Sequence, residues 1–152
     1  MKIIECVPNF SEGRRAGVVK SIAAAVEMVP GVRLLDTTMD PDHNRAVLTF
    51  IGEPEAVKNA AFAACKRASE LIDLTKHAGE HPRVGATDVI PFVPIKGASM
   101  EECAALAREL AVQIGERLEI PVYLYEEAAV RPWTRNLAEI RRGGFEGMFE
   151  KI

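Results

Sequence analysis

Two apolar stripes at helical spacing flank a pair of strand-like runs, and this alternation restricts the folds open to the chain more than any other feature. Val18, Ile22, Val26 and Val29 recur at the interval that keeps residues on one helix face, and Pro30-Gly31 ends the stripe. A second stripe, Val57, Ala61, Ala64, Ala68 and Leu71, opens on Glu53-Pro54, where proline suits a first helical turn, and runs to about Asp73. Its small alanines predict a helix lying close against a sheet. The intervening runs, VRLLDTT and NRAVLTFIG, are joined by MDPDH, whose Asp and Pro chemistry suits a tight turn, so the pair reads as a hairpin.

The remaining elements fall around this centre. KIIECV at 2–7 reads as a strand that Pro8 and Asn9 stop. Asp88 to Ile95 is apolar and β-branched, but Pro91 and Pro94 each remove a ladder donor, which predicts an edge or irregular strand. Ser99 to Glu102 has the form of a capping box, and Cys103, Leu106, Leu110, Ile114 and Leu118 complete a third amphipathic helix. Pro121 to Tyr125 reads as a last short strand. The order β-α-β-β-α-β-α-β predicts an α+β protein, a ferredoxin-like split βαβ sandwich with an extra helix and strand and its helices chiefly on one face of an antiparallel sheet.

A chain of 152 residues suits one domain, and 1–152 is read as one unit. The pattern decays over 126–152, where Trp133, Phe145, Met148 and Phe149 sit without a clear element of their own. Such a tail is expected to pack back on this domain, or on a second domain or a partner chain, and a homo-oligomer stays open as a separate reading.

Composition excludes several classes of function. An apolar share of 48% with 27% charged residues is globular rather than disordered. A net charge of -3 offers no general basic surface for nucleic acid. No apolar run is long enough to span a membrane, and Pro8 interrupts the N-terminus too early for an export signal, so the chain is expected to be cytoplasmic. Cys6, Cys65 and Cys103 are too scattered for a disulfide or metal framework and read as small buried thiols.

The chemistry concentrates in KHAGEHPR at 76–83, which holds Lys76, His77, Glu80, His81 and Arg83 between a helix end and a strand start. His43 is the only other histidine. An imidazole can exchange a proton at neutral pH when a carboxylate or carbonyl fixes its tautomer, and His81, between Glu80 and Arg83, is the candidate acid/base. The spacing H-x-x-E-H also matches an inverted zinc-protease motif, which needs both histidines on one helix face. Gly79 and Pro82 work against that helix, and a third ligand would be required, so a metal-free site is the expectation. Arg83 and Lys76 are candidate partners for a ligand carboxylate. Asn9, Ser11 and Glu12 follow the first strand, and Asp40, His43 and Asn44 occupy the hairpin turn, where turn formation alone would also explain Asp40 and Asn44. The chain contains neither a phosphate-binding glycine loop nor a nucleophile elbow. From the residues alone, a metal-free enzyme, a metallohydrolase and a non-catalytic binding module all stay open.

Three stretches, ECVPNFSEGRR at 5–15, KHAGEHPRVGATDVIPFVPI at 76–95 and PVYLYEEAA at 121–129, together resemble the N-terminal subdomain of the formiminotransferase domain. The resemblance runs over nearly the whole chain. It implies two α/β subdomains of ferredoxin-like character with the substrates between them, of which this chain is the first. It implies transfer of a formimino group from N-formimino-L-glutamate to tetrahydrofolate, a co-substrate, in histidine breakdown, with related members handling a formyl group. The histidine of the family's GEHPR stretch is its catalytic base, which places that role on His81. Asn9, Ser11, Glu12, Asp40, His43, Asn44, Lys76, His77, Glu80 and Arg83 then become candidates for substrate or folate binding. The resemblance also implies a C-terminal subdomain as partner, without which turnover is expected to be slight.

Overall fold

In the computed structural model, residues 1–79, 83, 85–129 and 136–141 are described. His81, Glu80 and the apolar tail residues Trp133, Phe145, Met148 and Phe149 lie outside them. The elements are β1 (Ile3–Cys6), β2 (Asn9–Phe10), α1 (Ala16–Glu27), β3 (Val32–Asp40), β4 (Arg45–Gly52), α2 (Pro54–Leu71), β5 (Thr87–Val89), β6 (Phe92–Lys96), α3 (Met100–Leu118) and α4 (Leu137–Arg141).

All the strand pairings among the described residues are antiparallel. The hairpin of β3 and β4 is paired from Val32 opposite Gly52 to Asp40 opposite Arg45, with a bulge between Leu34 and Asp36. On its other side β4 meets β1 (Ile4 opposite Gly52) and, further along, β2 (Asn9 opposite Val47). Beyond them lie β6 against β1 and β5 against β2. Proline explains why two of the four lines are broken. Pro8 stands between β1 and β2, and Pro91 between β5 and β6, each lacking the donor a continuous ladder needs. Their carbonyls still accept, from Leu48 N–H at 3.1 Å and Val7 N–H at 3.2 Å, so the lines stay in register across the gaps. The order across the sheet, β3, β4, β1/β2, β6/β5, is that of a split βαβ unit.

Burial alternates strictly along β4 and β1, which puts Ile4, Cys6, Leu48 and Phe50 on one face. They form a single apolar cluster with Val19, Ile22 and Val26 of α1, Val57, Ala61, Ala64 and Ala68 of α2, and Cys103, Leu106, Leu110 and Ile114 of α3. The helices therefore cover one face, as the stripes predict. All three cysteines are free and buried, and burial raises the pKa of their thiols. Between α2 and α3, Lys58 is buried with its ammonium 3.2 Å from both Glu55 and Glu109. Ser99 caps α3 by accepting the Glu102 N–H at 3.1 Å, while the Glu102 carboxylate pairs with Lys2 at 2.7 Å.

Three local expectations are corrected. Asn9 does not end the first strand line: Pro8 interrupts it, and Asn9–Phe10 resume it as β2, paired with β4 and β5. The segment 121–125 is not a ladder strand: Glu119 turns the chain out of α3 in a left-handed conformation, Pro121 lacks a donor, and the segment runs without sheet pairing into a short 3-10 turn, Glu126–Ala128. The strand read over 88–95 is two, β5 and β6, for the reason given by Pro91.

Candidate functional site

Three stretches far apart in sequence meet at one end of the sheet: the turn after β2, the β3–β4 turn, and the segment after α2. The meeting depends on glycine. A Cβ on Gly13 would lie 2.3 Å from the Asp40 carbonyl oxygen and 2.4 Å from the Arg45 nitrogen, and one on Gly79 would lie 2.4 Å from the His43 carbonyl oxygen. Both positions need the bare backbone for close approach, not for an unusual dihedral.

Asn44 is at the centre. It is buried, with φ +53°, in the left-handed region that asparagine tolerates better than most residues. Its Oδ1 accepts the Gly13 N–H at 2.8 Å, its Nδ2 donates to the Ala78 carbonyl at 3.2 Å, and its own carbonyl lies 3.0 Å from His77 Nε2. His77 is extended rather than helical and is held on both ring nitrogens, because Arg83 Nε donates to its Nδ1 at 2.9 Å. The two bonds together require the Nε2–H tautomer. Arg83 also reaches the His77 carbonyl at 3.4 Å. The helix demanded by an H-x-x-E-H zinc site is therefore lacking at His77, and its ring is committed elsewhere.

The other candidates have placed roles too. Ser11 Oγ donates to the Gly85 carbonyl at 2.8 Å, tying the first turn to the far end of the histidine segment. Glu12 is buried and accepts the N–H groups of Arg14 and Arg15 at 3.0 and 2.9 Å, with the Arg15 Nε 2.6 Å away. Burial pushes the Glu12 carboxyl up, but those amides and the guanidinium outweigh it and hold the group below the ordinary carboxylate range. Asn9 Nδ2 donates to the Val7 carbonyl at 2.9 Å, and its Oδ1 accepts from Arg45 Nε at 2.7 Å. In the hairpin turn, Asp40 Oδ2 and His43 Nδ1 are 2.7 Å apart, while Asp40 Oδ1 accepts the N–H groups of Asp42 and His43. The His43 contact is the main reason the Asp40 carboxyl titrates lower than usual. Lys76 is exposed on the 3-10 turn Leu74–Lys76.

Three residues that sequence reasoning passed over belong to this region. Arg45 contacts Asn9, and Arg141 of α4 donates to buried Asp88 Oδ2 from Nε and Nη2 at 3.1 and 2.7 Å. Asp88 Oδ1 in turn accepts from Gly85 N–H at 3.4 Å. Burial lowers the pKa of the Arg45 guanidinium, nearby Arg141 lowers it further, and Asp88 opposes both. The signal for Arg45 was its position beside Asn44. Asp88 and Arg141 are 53 residues apart and carry none. A cavity of about 1,010 Å³ between α2, α3 and the β5/β6 edge, lined by Cys65, Cys103, Leu110, Tyr123 and Tyr125 among others, meets this region at Gly85, Thr87 and Asp88 among the described residues. Its described lining is largely apolar, with the carboxylates of Glu70, Asp73, Asp88 and Glu126 also bordering it.

Among known proteins, residues 3–152 match a family model described as the formiminotransferase domain, N-terminal subdomain. The chain is 51% identical over 151 residues to a protein named glutamate formimidoyltransferase from Streptococcus pyogenes serotype M1, covering 99% of this chain and 50% of that one. It is 53% identical over 146 residues to one of the same name from Thermoplasma acidophilum, covering 96% of this chain and 48% of that one. A mouse protein, formimidoyltransferase-cyclodeaminase, is 48% identical over 151 residues, which make up 99% of this chain and 28% of the mouse protein. The chain thus spans about half the length of the first two relatives.

Proposed function

Because the chain belongs to the family of N-terminal subdomains of the formiminotransferase domain, we propose that, together with a C-terminal half, it moves a formimino group from N-formimino-L-glutamate to tetrahydrofolate. His81 is the general acid/base of this reading. The imidazole takes the proton from N5 of tetrahydrofolate as that nitrogen adds to the formimino carbon. The imidazolium then returns a proton to the glutamate nitrogen as its bond to the same carbon breaks, so protons balance over the cycle. The carbon is already electrophilic, particularly once its nitrogen is protonated, and the scheme calls on no metal.

The observation that carries the proposal is the convergence of the 9–15, 40–45 and 76–85 stretches through Asn44, Gly13, Gly79 and Ser11. Two of these stretches are the ones that bear the family resemblance, and residues from all three are brought to one end of the sheet. Of the two cations proposed for a glutamate carboxylate, Lys76 is the more exposed, while Arg83 is engaged with His77. Uniform binding of that kind acts on affinity more than on proton transfer.

The second wall of the cleft is proposed to come from the C-terminal half. The sheet face away from the helices supports this: Ile3, Val7, Val47, Ile51 and Val93 are partly exposed there among Glu5, Thr49 and Arg45. We place the enzyme in the cytoplasm, in keeping with three free buried thiols. No helix of the described residues is long and apolar enough to cross a membrane.

The test is a transfer assay with the chain alone and with a C-terminal half supplied. Little or no formimino transfer by the chain alone, and turnover on adding the second half, is the expected result. Full-rate transfer by the chain alone would refute the split cleft, and transfer of formyl but not formimino would move the reading to the related formyl reaction.

A further inference from the structure

We propose that Asn44 is a positioning residue of the transfer site, fixing the entry to the segment that carries His81 rather than touching substrate. This rests on the formimino-transfer reading above. Asn44 is bonded to both other stretches of the cluster: to Gly13 after β2, and to Ala78 and His77 after α2. Ala78 is three residues before His81. Among the described residues between α2 and β5 the 3-10 turn Leu74–Lys76 is the one piece of regular structure, so His77 and Ala78 beyond it depend on cross-links such as those to Asn44.

The chemistry of the position narrows what can occupy it. A left-handed φ excludes β-branched residues and disfavours most others. An acceptor is required for the Gly13 N–H and a donor for the Ala78 carbonyl, and a primary amide on a short stem supplies both. The backbone carbonyl of the same residue meets His77 Nε2, which fixes the tautomer that lets His77 accept from Arg83. One residue thereby sets Gly13, Ala78, His77 and, through His77, Arg83. A side chain spent on those internal bonds has its amide oxygen and nitrogen directed at the protein. Its contribution to catalysis is geometric, and a loss of alignment of about 1 Å at a reacting group can cost about 10²-fold in rate.

The experiment uses the enzyme carrying both halves. Asn44→Gly keeps the left-handed backbone and deletes both side-chain bonds. Asn44→Asp keeps the acceptor for Gly13 but turns a carboxylate oxygen toward the Ala78 carbonyl, and serves where the glycine variant folds poorly. Both should lower kcat by about 10- to 10²-fold with KM for both substrates little changed. Amide hydrogen exchange should quicken at Gly13 and across 77–79 while α1 and α2 keep their protection. Wild-type kcat in both variants would overturn the proposal, as would a KM rise at constant kcat, which is the mark of lost substrate contact. Activity that merely follows the folded fraction, with exchange accelerated throughout the sheet, would reduce Asn44 to a stability residue. If the wild-type enzyme transfers no formimino group, the functional reading fails by itself. Exchange then still decides the inference, with unchanged protection at 77–79 refuting it.

Discussion

At the scale of single residues, the site is built by groups that satisfy one another before any ligand arrives. Glu12 shows how. Its carboxylate accepts two backbone N–H groups just ahead of α1, which lacks a side-chain cap of its own at Arg15, and burial alone would have made that charge costly. Its folded pKa is depressed, so its contribution to stability is present above its unfolded value, near 4.5, and is lost as pH falls through the folded value. Glu12→Ala should cost about 0.5–2 kcal/mol at pH 7, the scale of losing a helix cap. Denaturant titrations from pH 7 to pH 3 should show the gap between wild type and variant closing on the acid side; a gap that stays constant would remove the charge from the explanation. Sequence reading found most of these residues but not what they bond to. Asn44 and Asp40 stood out as turn formers, and His77 as a candidate for ligand binding. That Asn44 reaches Gly13 and Ala78 depends on contacts across more than 30 residues, which no local spacing encodes.

At the scale of elements, the regular parts were legible because each carries its period and its punctuation. The stripe from Val57 to Leu71 and its opening proline gave α2 almost to the residue, and Ser99 marked the start of α3. The misreadings have one cause in common. Pro91 and Pro121 sit in runs whose composition is strand-like, and composition does not show whether a neighbour will be present to pair. In the first case pairing resumed on both sides of the proline. In the second it did not form. The central hairpin strand β4 bears the most weight, since it pairs with β1, β2 and β3 and turns Leu48 and Phe50 fully into the core. Phe50→Ala should therefore destabilise the protein by about 3–5 kcal/mol, the range for an aromatic truncated in a closed core. Equilibrium unfolding measures it, and a loss below about 1 kcal/mol would mean that the helices are not packed on this face as described.

At the scale of the whole molecule, the layering fits the proposal that the chain supplies one wall of a cleft. Helices α1, α2 and α3 cover one side of the sheet, leaving the other half exposed and mixed in character, with the histidine segment and the hairpin turn meeting at its end. The fold was open to sequence reasoning as far as this, because element order and antiparallel pairing follow from hairpin and crossover rules. The assignment of chemistry was not. Spacing alone left a zinc motif, an acid/base histidine and a binding module in competition, and the choice of the acid/base histidine rests on family resemblance. The claim that most needs a direct test is that His81 moves the protons. The measurement is kcat of His81→Ala across pH in the enzyme with both halves present. The account expects a fall of about 10²- to 10⁴-fold with the histidine limb of the pH profile gone, whereas a near-wild-type kcat with an unchanged profile would contradict it and leave His81 a structural residue.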